Sequence, residues 1–282
     1  MPLVLRYNIS EALGAFSGRF AVALLTDLHN HSCLSPCGSL DLSPSRLVRI
    51  GAARGLQVMA LTDHNTSLNC RAFAKLCRRS GIIPIFGMEA TTAEEIHVLC
   101  LFASLEASLA FGDYAYSILA PFPNDPDKAG DQVYVDEDDC IEGEVELFLL
   151  SPLALSVEEI GAKVAEYSGL AIPAHVDRPA FSMSSQLGAV TRGPWPALEC
   201  VRIPPAANGA PLDTLGYPLI TSSDAHFPEH VGRRPFALDV SVEELQPGGA
   251  GAEADMEAFR KALLLSRAGS AAVSSPFRKK AL

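Results

Sequence analysis

Six of the seven histidines in this 282-residue chain stand at the borders of short apolar runs, each beside other residues able to ligate a metal. Leu-Leu-Thr-Asp27-Leu-His29-Asn-His31 places two imidazoles at i and i+2, which in an extended segment point the same way. Thr62-Asp63-His64 ends a second apolar run, Gly87-Met88-Glu89 a third, and His97 opens a fourth. Ala174-His175 and Asp224-Ala225-His226 complete the set. Any fold for this chain has to explain why polar ligand-type side chains recur at the borders of strands. Parallel strands joined by helices all end on one face, so residues scattered over about 200 positions can meet there.

The rest of the chain supports that arrangement, because short apolar runs alternate with helix-like stretches. Strands are expected at 21–26, 58–62, 82–87, 96–102, 170–174, 198–202, 218–222 and 236–240. Helices are expected at 43–53, 67–79, 105–119, 156–168 and 254–267, with a short Ser-rich one at 182–187. Ser43 before Pro44 reads as an N-cap, and Ser156 with Glu159 has capping-box spacing. No repeat or low-complexity linker divides the chain. We read an N-terminal extension at 1–20, either an ordered piece with a helix near 10–16 or a tail, followed by a single domain at 21–282. The fold class is α/β, a barrel with its site at the C-terminal strand ends.

Composition narrows the partners. The formal net charge is -11, from 22 basic and 33 acidic residues, which disfavours stable nucleic-acid binding. The deficit is local: between Asp113 and Leu147 eleven acids face one base, Lys128. Around a polar centre in this stretch, apolar and polar residues alternate, as in an exposed hairpin, so we read an acidic hairpin insertion at about 113–147. No window approaches the roughly 18 apolar residues of a membrane span, and the N-terminal segment lacks a signal-peptide pattern. Seven cysteines without a Cys-x-x-Cys pair fit a reducing, cytoplasmic setting.

Taken singly, the histidine motifs are weak, since a lone His-x-His on an apolar strand is as often a satisfied polar pair as a ligand pair. Their conjunction is hard to produce by core packing. Asp27 and Asp63 precede candidate ligands and are positioned to orient the rings that follow them. Arg178 reads equally as a bidentate phosphate clamp and as a surface arginine before Pro179, with Arg233 and Arg234 as weaker clamps. His230 has no ligand-like setting and reads as a surface or supporting residue. No Gly-x-Ser-x-Gly elbow or Gly-rich phosphate loop is present.

From about Leu25 to Gly232 the chain resembles the PHP (polymerase and histidinol phosphatase) family of metal-dependent phosphoesterases. The resemblance rests on Asp27-Leu28-His29-Asn30-His31-Ser32, Thr62-Asp63-His64, Gly87-Met88-Glu89 with His97, Ala174-His175 and Asp224-Ala225-His226. It implies a distorted (β/α)7 barrel binding two or three divalent ions, with His29, His31, His64, Glu89, His97, His175, Asp224 and His226 as ligands and Glu89 bridging. Manganese, zinc or iron suits such a nitrogen and oxygen set better than magnesium. The catalytic set would be Glu89, Asp224, His226 and Arg178. The implied activity is hydrolysis of a small phosphomonoester, a sugar, amino-alcohol or nucleotide phosphate, by a metal-activated hydroxide. Alternatives are a phosphodiesterase or exonuclease acting on nucleotides, a catalytically weak metal-binding regulatory module, and a metal-dependent amidohydrolase. One departure stands out: where the family often places a ligating acid, this chain has Pro36, followed by Cys37 as a candidate thiolate replacement or a structural cysteine. Bound cations would supply the positive field that the net charge withholds.

Overall fold

The computed structural model describes residues 23–266, so the readings for 1–20, for the start of the first strand and for the end of the last helix lie outside the described residues. The first elements are β1 (Leu24–Asp27), α1 (Pro44–Ala53), β2 (Val58–Leu61), α2 (Cys70–Ser80), β3 (Ile83–Thr91) and β4 (His97–Phe102). Next come α3 (Leu105–Ser117), α4 (Pro126–Ala129), β5 (Val133–Val135), β6 (Ile141–Glu144), α5 (Val157–Glu166) and β7 (Leu170–Pro173). The chain continues through α6 (Met183–Gln186), β8 (Leu198–Glu199), β9 (Ala206–Ala207), β10 (Ala210–Pro211), β11 (Leu219–Ile220) and β12 (Phe236–Leu238). It ends with α7 (Val242–Leu245) and α8 (Met256–Leu265). Ser43 caps α1 by accepting from the Arg46 amide, and Ser156 and Glu159 form a reciprocal capping box on α5.

The main sheet has six strands in the order β12-β1-β2-β3-β4-β7. The β1–β2 and β2–β3 pairs are parallel, whereas β12–β1, β3–β4 and β4–β7 are antiparallel. This corrects the expectation of a (β/α)7 barrel: the architecture is α/β with a curled, mixed six-stranded sheet, and β8 and β11 form a separate parallel pair. The reason is visible at residues 92–96, where five residues connect β3 to β4. A parallel crossover needs a dozen or more, so β4 has to turn back along β3. Two short contacts extend the curl past the sheet's edges. The Val176 amide donates to the Glu199 carbonyl at 2.8 Å, and Asn30 after β1 forms a bridge with Ala225.

Strand alternation then decides what faces the interior. On β4, Leu99 and Leu101 join the core cluster with Leu24, Val58 and Ile172, while Val98, Cys100 and Phe102 pack with Phe111 of α3 and Ile160 of α5. On β3, Ile83 and Ile85 share that interior cluster, and period two puts Glu89 on their side. His97 has the parity of Leu99 and Leu101. An acid and an imidazole are thereby aimed inward above an apolar floor. A third cluster, including Leu47, Met59, Phe73 and Phe86, seats α1 and α2 on the outer side.

The acidic stretch is more varied than a simple hairpin, since residues 113–117 end α3 and 126–129 form α4. Strands β5 and β6 pair antiparallel, and the ribbon is tied to α1 and α2. Glu137 meets Lys75 at 2.7 Å and Arg79 at 3.5 Å. Asp139 accepts from Ser45 at 2.5 Å, and the Val135 amide donates to Asn69 Oδ1 at 2.8 Å.

Gly87 lies on the strand that delivers Glu89, and a methyl group there would overlap the carbonyl oxygen of Cys100 on β4. Forcing extra volume into a packed core costs about 1–3 kcal/mol. Gly87→Ala is therefore expected to lower the thermal unfolding midpoint by about 2–12 °C, read by circular dichroism; an unchanged midpoint would contradict this register.

Candidate metal centre

The ends of β1, β2 and β7, the interior of β3 and the first residue of β4 converge. Because β4 runs antiparallel to β3 and β7, its starting residue lies on the same edge as their C-terminal ends. Glu89 is inside β3 rather than beyond it, two residues short of Thr91, which pairs with His97.

The Glu89 carboxylate is the hub. Its Oε2 lies 3.2 Å from His29 Nε2, 3.2 Å from His31 Nε2 and 3.3 Å from His64 Nδ1. Its Oε1 lies 2.9 Å from His97 Nδ1 and 3.0 Å from His175 Nε2. Asp224 Oδ1 closes the cage at 3.5 Å from both His29 Nε2 and His31 Nε2 and 3.4 Å from His226 Nδ1. The ring of His226 stacks on His31 at 4.1 Å between centroids. All eight expected ligands are thus brought together. The ligating atoms of seven of them fall into three overlapping groups: His29, His31, Glu89 and Asp224; His64, Glu89 and His97; and His31, His64 and His226; His175 adjoins them through Glu89 Oε1. Strain accompanies the assembly: His175 and Asp224 are both in the left-handed region, with φ of 31° and 48°.

The donor set fits divalent cations. Two imidazole nitrogens, His29 Nε2 and His31 Nε2, stand 3.1 Å apart and face the same two carboxylate oxygens. His64 Nδ1, His97 Nδ1 and Asp224 Oδ1 are buried without a hydrogen bond, and orphaned polar atoms in such a place call for a partner. Divalent cations held by these groups would satisfy them together.

Electrostatics follow from burial. Removal from water raises the carboxyl of Glu89, but the surrounding His29, His97 and His64 outweigh it and hold the group well below its ordinary value. Asp224 is lowered in the same way, with burial opposed by His29 and His31. His29 loses from burial but gains more from Glu199, Glu89 and Asp224, so its imidazole sits well above the usual range; at His31 burial is likewise outweighed by the neighbouring Asp224 and Glu89 carboxylates, and it too is raised. Burial dominates at His64 and His97, which are lowered, and it carries His226 down to about 3.

The residues around the cage differ in part from the sequence reading. Neither Asp27 nor Asp63 touches the ring that follows it. Asp27 accepts from the Ser223 and Gly232 amides at 2.9 and 3.0 Å, anchoring the loop that carries Asp224. Asp63 accepts from the Ser32 amide and from the hydroxyls of Ser32 and Ser35, each at 2.7 Å, and Ser35 Oγ in turn meets His31 Nδ1 at 3.1 Å. Arg178 does reach the cage, donating from Nη1 to Asp224 Oδ2 at 2.9 Å. Arg233 and Arg234 instead donate to carbonyls of residues 201 and 222–224 and fix the turn bearing Asp224. His230 packs edge-on against Phe227. Cys37 belongs to none of the three groups, and burial together with Glu89 and Asp224 pushes its thiol up. The residue that sequence reading missed is Glu199, whose carboxylate meets His29 Nδ1 at 3.0 and 3.1 Å. Its only signal is an acid inside the apolar run Ala197-Leu198-Glu199-Cys200-Val201.

With this geometry in view, the comparisons with known proteins fall into place. The PHP domain family model matches residues 27–137, the segment that supplies His29, His31, His64, Glu89 and His97. No curated protein sequence matches the chain. Among solved structures, the chain resembles the lesion-specific endonuclease PfuEndoQ from Pyrococcus furiosus, at 20% identity and a TM-score of 0.51, over 79% of this chain and 54% of that one. A complex of endonuclease Q with a 27-mer duplex carrying an abasic lesion matches at 20% identity and a TM-score of 0.50, over 78% and 55%. A putative metal-dependent phosphoesterase from Bifidobacterium adolescentis matches at 17% identity and a TM-score of 0.48, over 84% and 95%. The chain spans about half the length of the endonuclease Q chains it matches.

The raised His29 and His31 favour the protonated form in the metal-free protein, and a cation arriving at Nε2 has to displace any proton held there. His64 and His226 are lowered and neutral there. Zinc binding at pH 7 is therefore expected to release about one to two protons and to tighten as pH rises through the neutral range. Titration calorimetry in buffers of different ionisation enthalpy measures the count, and no release would contradict the assigned charge states.

Proposed function

We propose that the chain is a metal-dependent hydrolase of phosphate esters, holding at least two divalent ions and acting on a small phosphomonoester. The observation that carries the reading is the division of Glu89: one oxygen faces His29, His31 and His64, the other His97 and His175. A carboxylate shared in this way is what a bridge between two ion positions requires. Bound divalent ions supply positive charge for the phosphoryl oxygens and acidify a coordinated water, so no nucleophilic side chain is needed. Nitrogen-rich groups favour manganese, zinc or iron over magnesium.

Within this reading, His29, His31, His64, Glu89, His97, His175, Asp224 and His226 hold the ions. Arg178 keeps Asp224 in place through Nη1 and has further N–H groups for the anionic ester; its side chain is 36% exposed, against 11% for that of Asp224. Access favours an end-on substrate. His29, His31, His64 and Glu89 are at most 2% exposed, so the phosphate of an ester has to reach in from the partly exposed Arg178 and His226. A terminal phosphate does this more readily than one flanked by chain on both sides.

The reading is tested by phosphate release from a panel of sugar, amino-alcohol and nucleotide monoesters with manganese added, run beside a dinucleotide. Release from monoesters, lost by roughly 10³-fold or more in His29→Ala and Glu89→Gln, is the expected result. Cleavage of the dinucleotide alone would move the assignment to a phosphodiesterase, and stoichiometric metal without any cleavage would make the chain a metal-binding regulatory module. Arg178→Ala is expected to raise KM for the active ester by about 10- to 100-fold, the loss of a charged hydrogen bond. An unchanged KM would remove Arg178 from the substrate.

A further inference from the structure

We propose that Glu199 is a positioning residue that fixes the His29 ring and the His175 backbone and, through them, sets the affinity of the ion position formed by His29, His31, Glu89 and Asp224. The proposal rests on the metal-centre reading above. Glu199 lies at the end of β8, 170 positions from His29 in sequence, and is 2% exposed. An acid this deep is costly unless something compensates it. Its compensation comes from the ring of His29: both carboxylate oxygens lie within hydrogen-bond distance of Nδ1, at 3.1 and 3.0 Å.

A carboxylate acceptor on Nδ1 has one consequence for the other side of the ring. The proton that remains after metal binding sits on Nδ1, and the Nε2 lone pair is turned toward Glu89 Oε2 and Asp224 Oδ1. A carboxylate in that place also makes the imidazole a stronger donor to a cation. His31 has only a hydroxyl behind it, Ser35 Oγ at 3.1 Å from Nδ1, so the two histidines of the His-x-His pair are backed unequally.

The same carboxylate reaches the other side of the hub. Glu199 Oε2 accepts from the His175 amide at 2.9 Å, and the Glu199 carbonyl accepts from the Val176 amide at 2.8 Å. His175 has a φ of 31°, a backbone state that needs outside support in a residue with a side chain. Its Nε2 is 3.0 Å from Glu89 Oε1. Glu199 therefore holds a ring on one side of the Glu89 bridge and the backbone of a ring on the other. Glutamine keeps the shape but replaces one acceptor oxygen by an NH2, which faces either the Nδ1 proton or the His175 amide with a donor.

The test is a zinc competition titration of the full chain, wild type beside Glu199→Gln and Glu199→Ala, with circular dichroism in chelator to verify that each variant is folded. We expect one zinc-binding step to weaken by about 10- to 100-fold in both variants. In the zinc-loaded wild type, nitrogen-15 NMR is expected to show the His29 ring proton on Nδ1, shifted downfield by its carboxylate partner. Unchanged zinc affinity in folded variants, or a His29 proton on Nε2 in the wild type, would overturn the proposal; the second readout needs no variant to fold. A wild type that binds no zinc would overturn both this proposal and the phosphoesterase reading. Zinc binding with the expected Glu199 dependence but no ester hydrolysed would overturn the phosphoesterase reading alone.

Discussion

A single buried carboxylate organises this molecule. Glu89 is 1% exposed, and five imidazole nitrogens lie within 3.3 Å of its two oxygens. A carboxylate taken so far from water is tolerated only where other groups answer its charge. The fold provides those groups from β1, β2, β4 and β7, and period two on β3 aims the acid at them. The antiparallel return of β4 serves the same end, because it starts the strand with His97 opposite Thr91 and brings that ring to Glu89.

The protonation pattern shows how the cage divides its work. Rings in contact with several carboxylates, His29 and His31, are pulled toward the charged state, whereas His64, His97 and His226 are kept neutral by burial. The neutral ones are ready donors to a cation, and the raised ones exchange a proton for it. The negative net charge of the chain does not conflict with an anionic substrate in this arrangement. The acidic ribbon spends part of its charge locally, with Glu137 on Lys75 and Arg79 and Asp139 on Ser45, away from the cage.

Much of this was legible in the residues before any coordinates. Histidine, glutamate and aspartate at the borders of apolar runs are costly in a plain core, which is why all eight candidate ligand positions stood out. The strand order was less legible, because hydrophobic alternation reports which face is buried and not the direction of the partner. From sequence the third strand is expected to end at 87; only its extension to Thr91 in the structure leaves the five residues 92–96, too few for a parallel crossover. Glu199 escaped because one acid in an apolar run looks like any strand-end residue until His29, 170 positions away, is placed against it. Asp27 and Asp63 misled for the related reason that adjacency in sequence does not give adjacency of side chains. Their carboxylates turn to the backbone amides and hydroxyls that hold the loops.

The central claim, that Glu89 bridges two ions, is tested most directly by crystallography of the manganese-loaded protein with data at the manganese absorption edge. The account predicts two anomalous peaks roughly 3.5–4 Å apart, one beside Glu89 Oε2 with His29, His31 and Asp224, the other beside Oε1 with His97 and His175. A single peak, or peaks that leave either Glu89 oxygen without a metal, would contradict it.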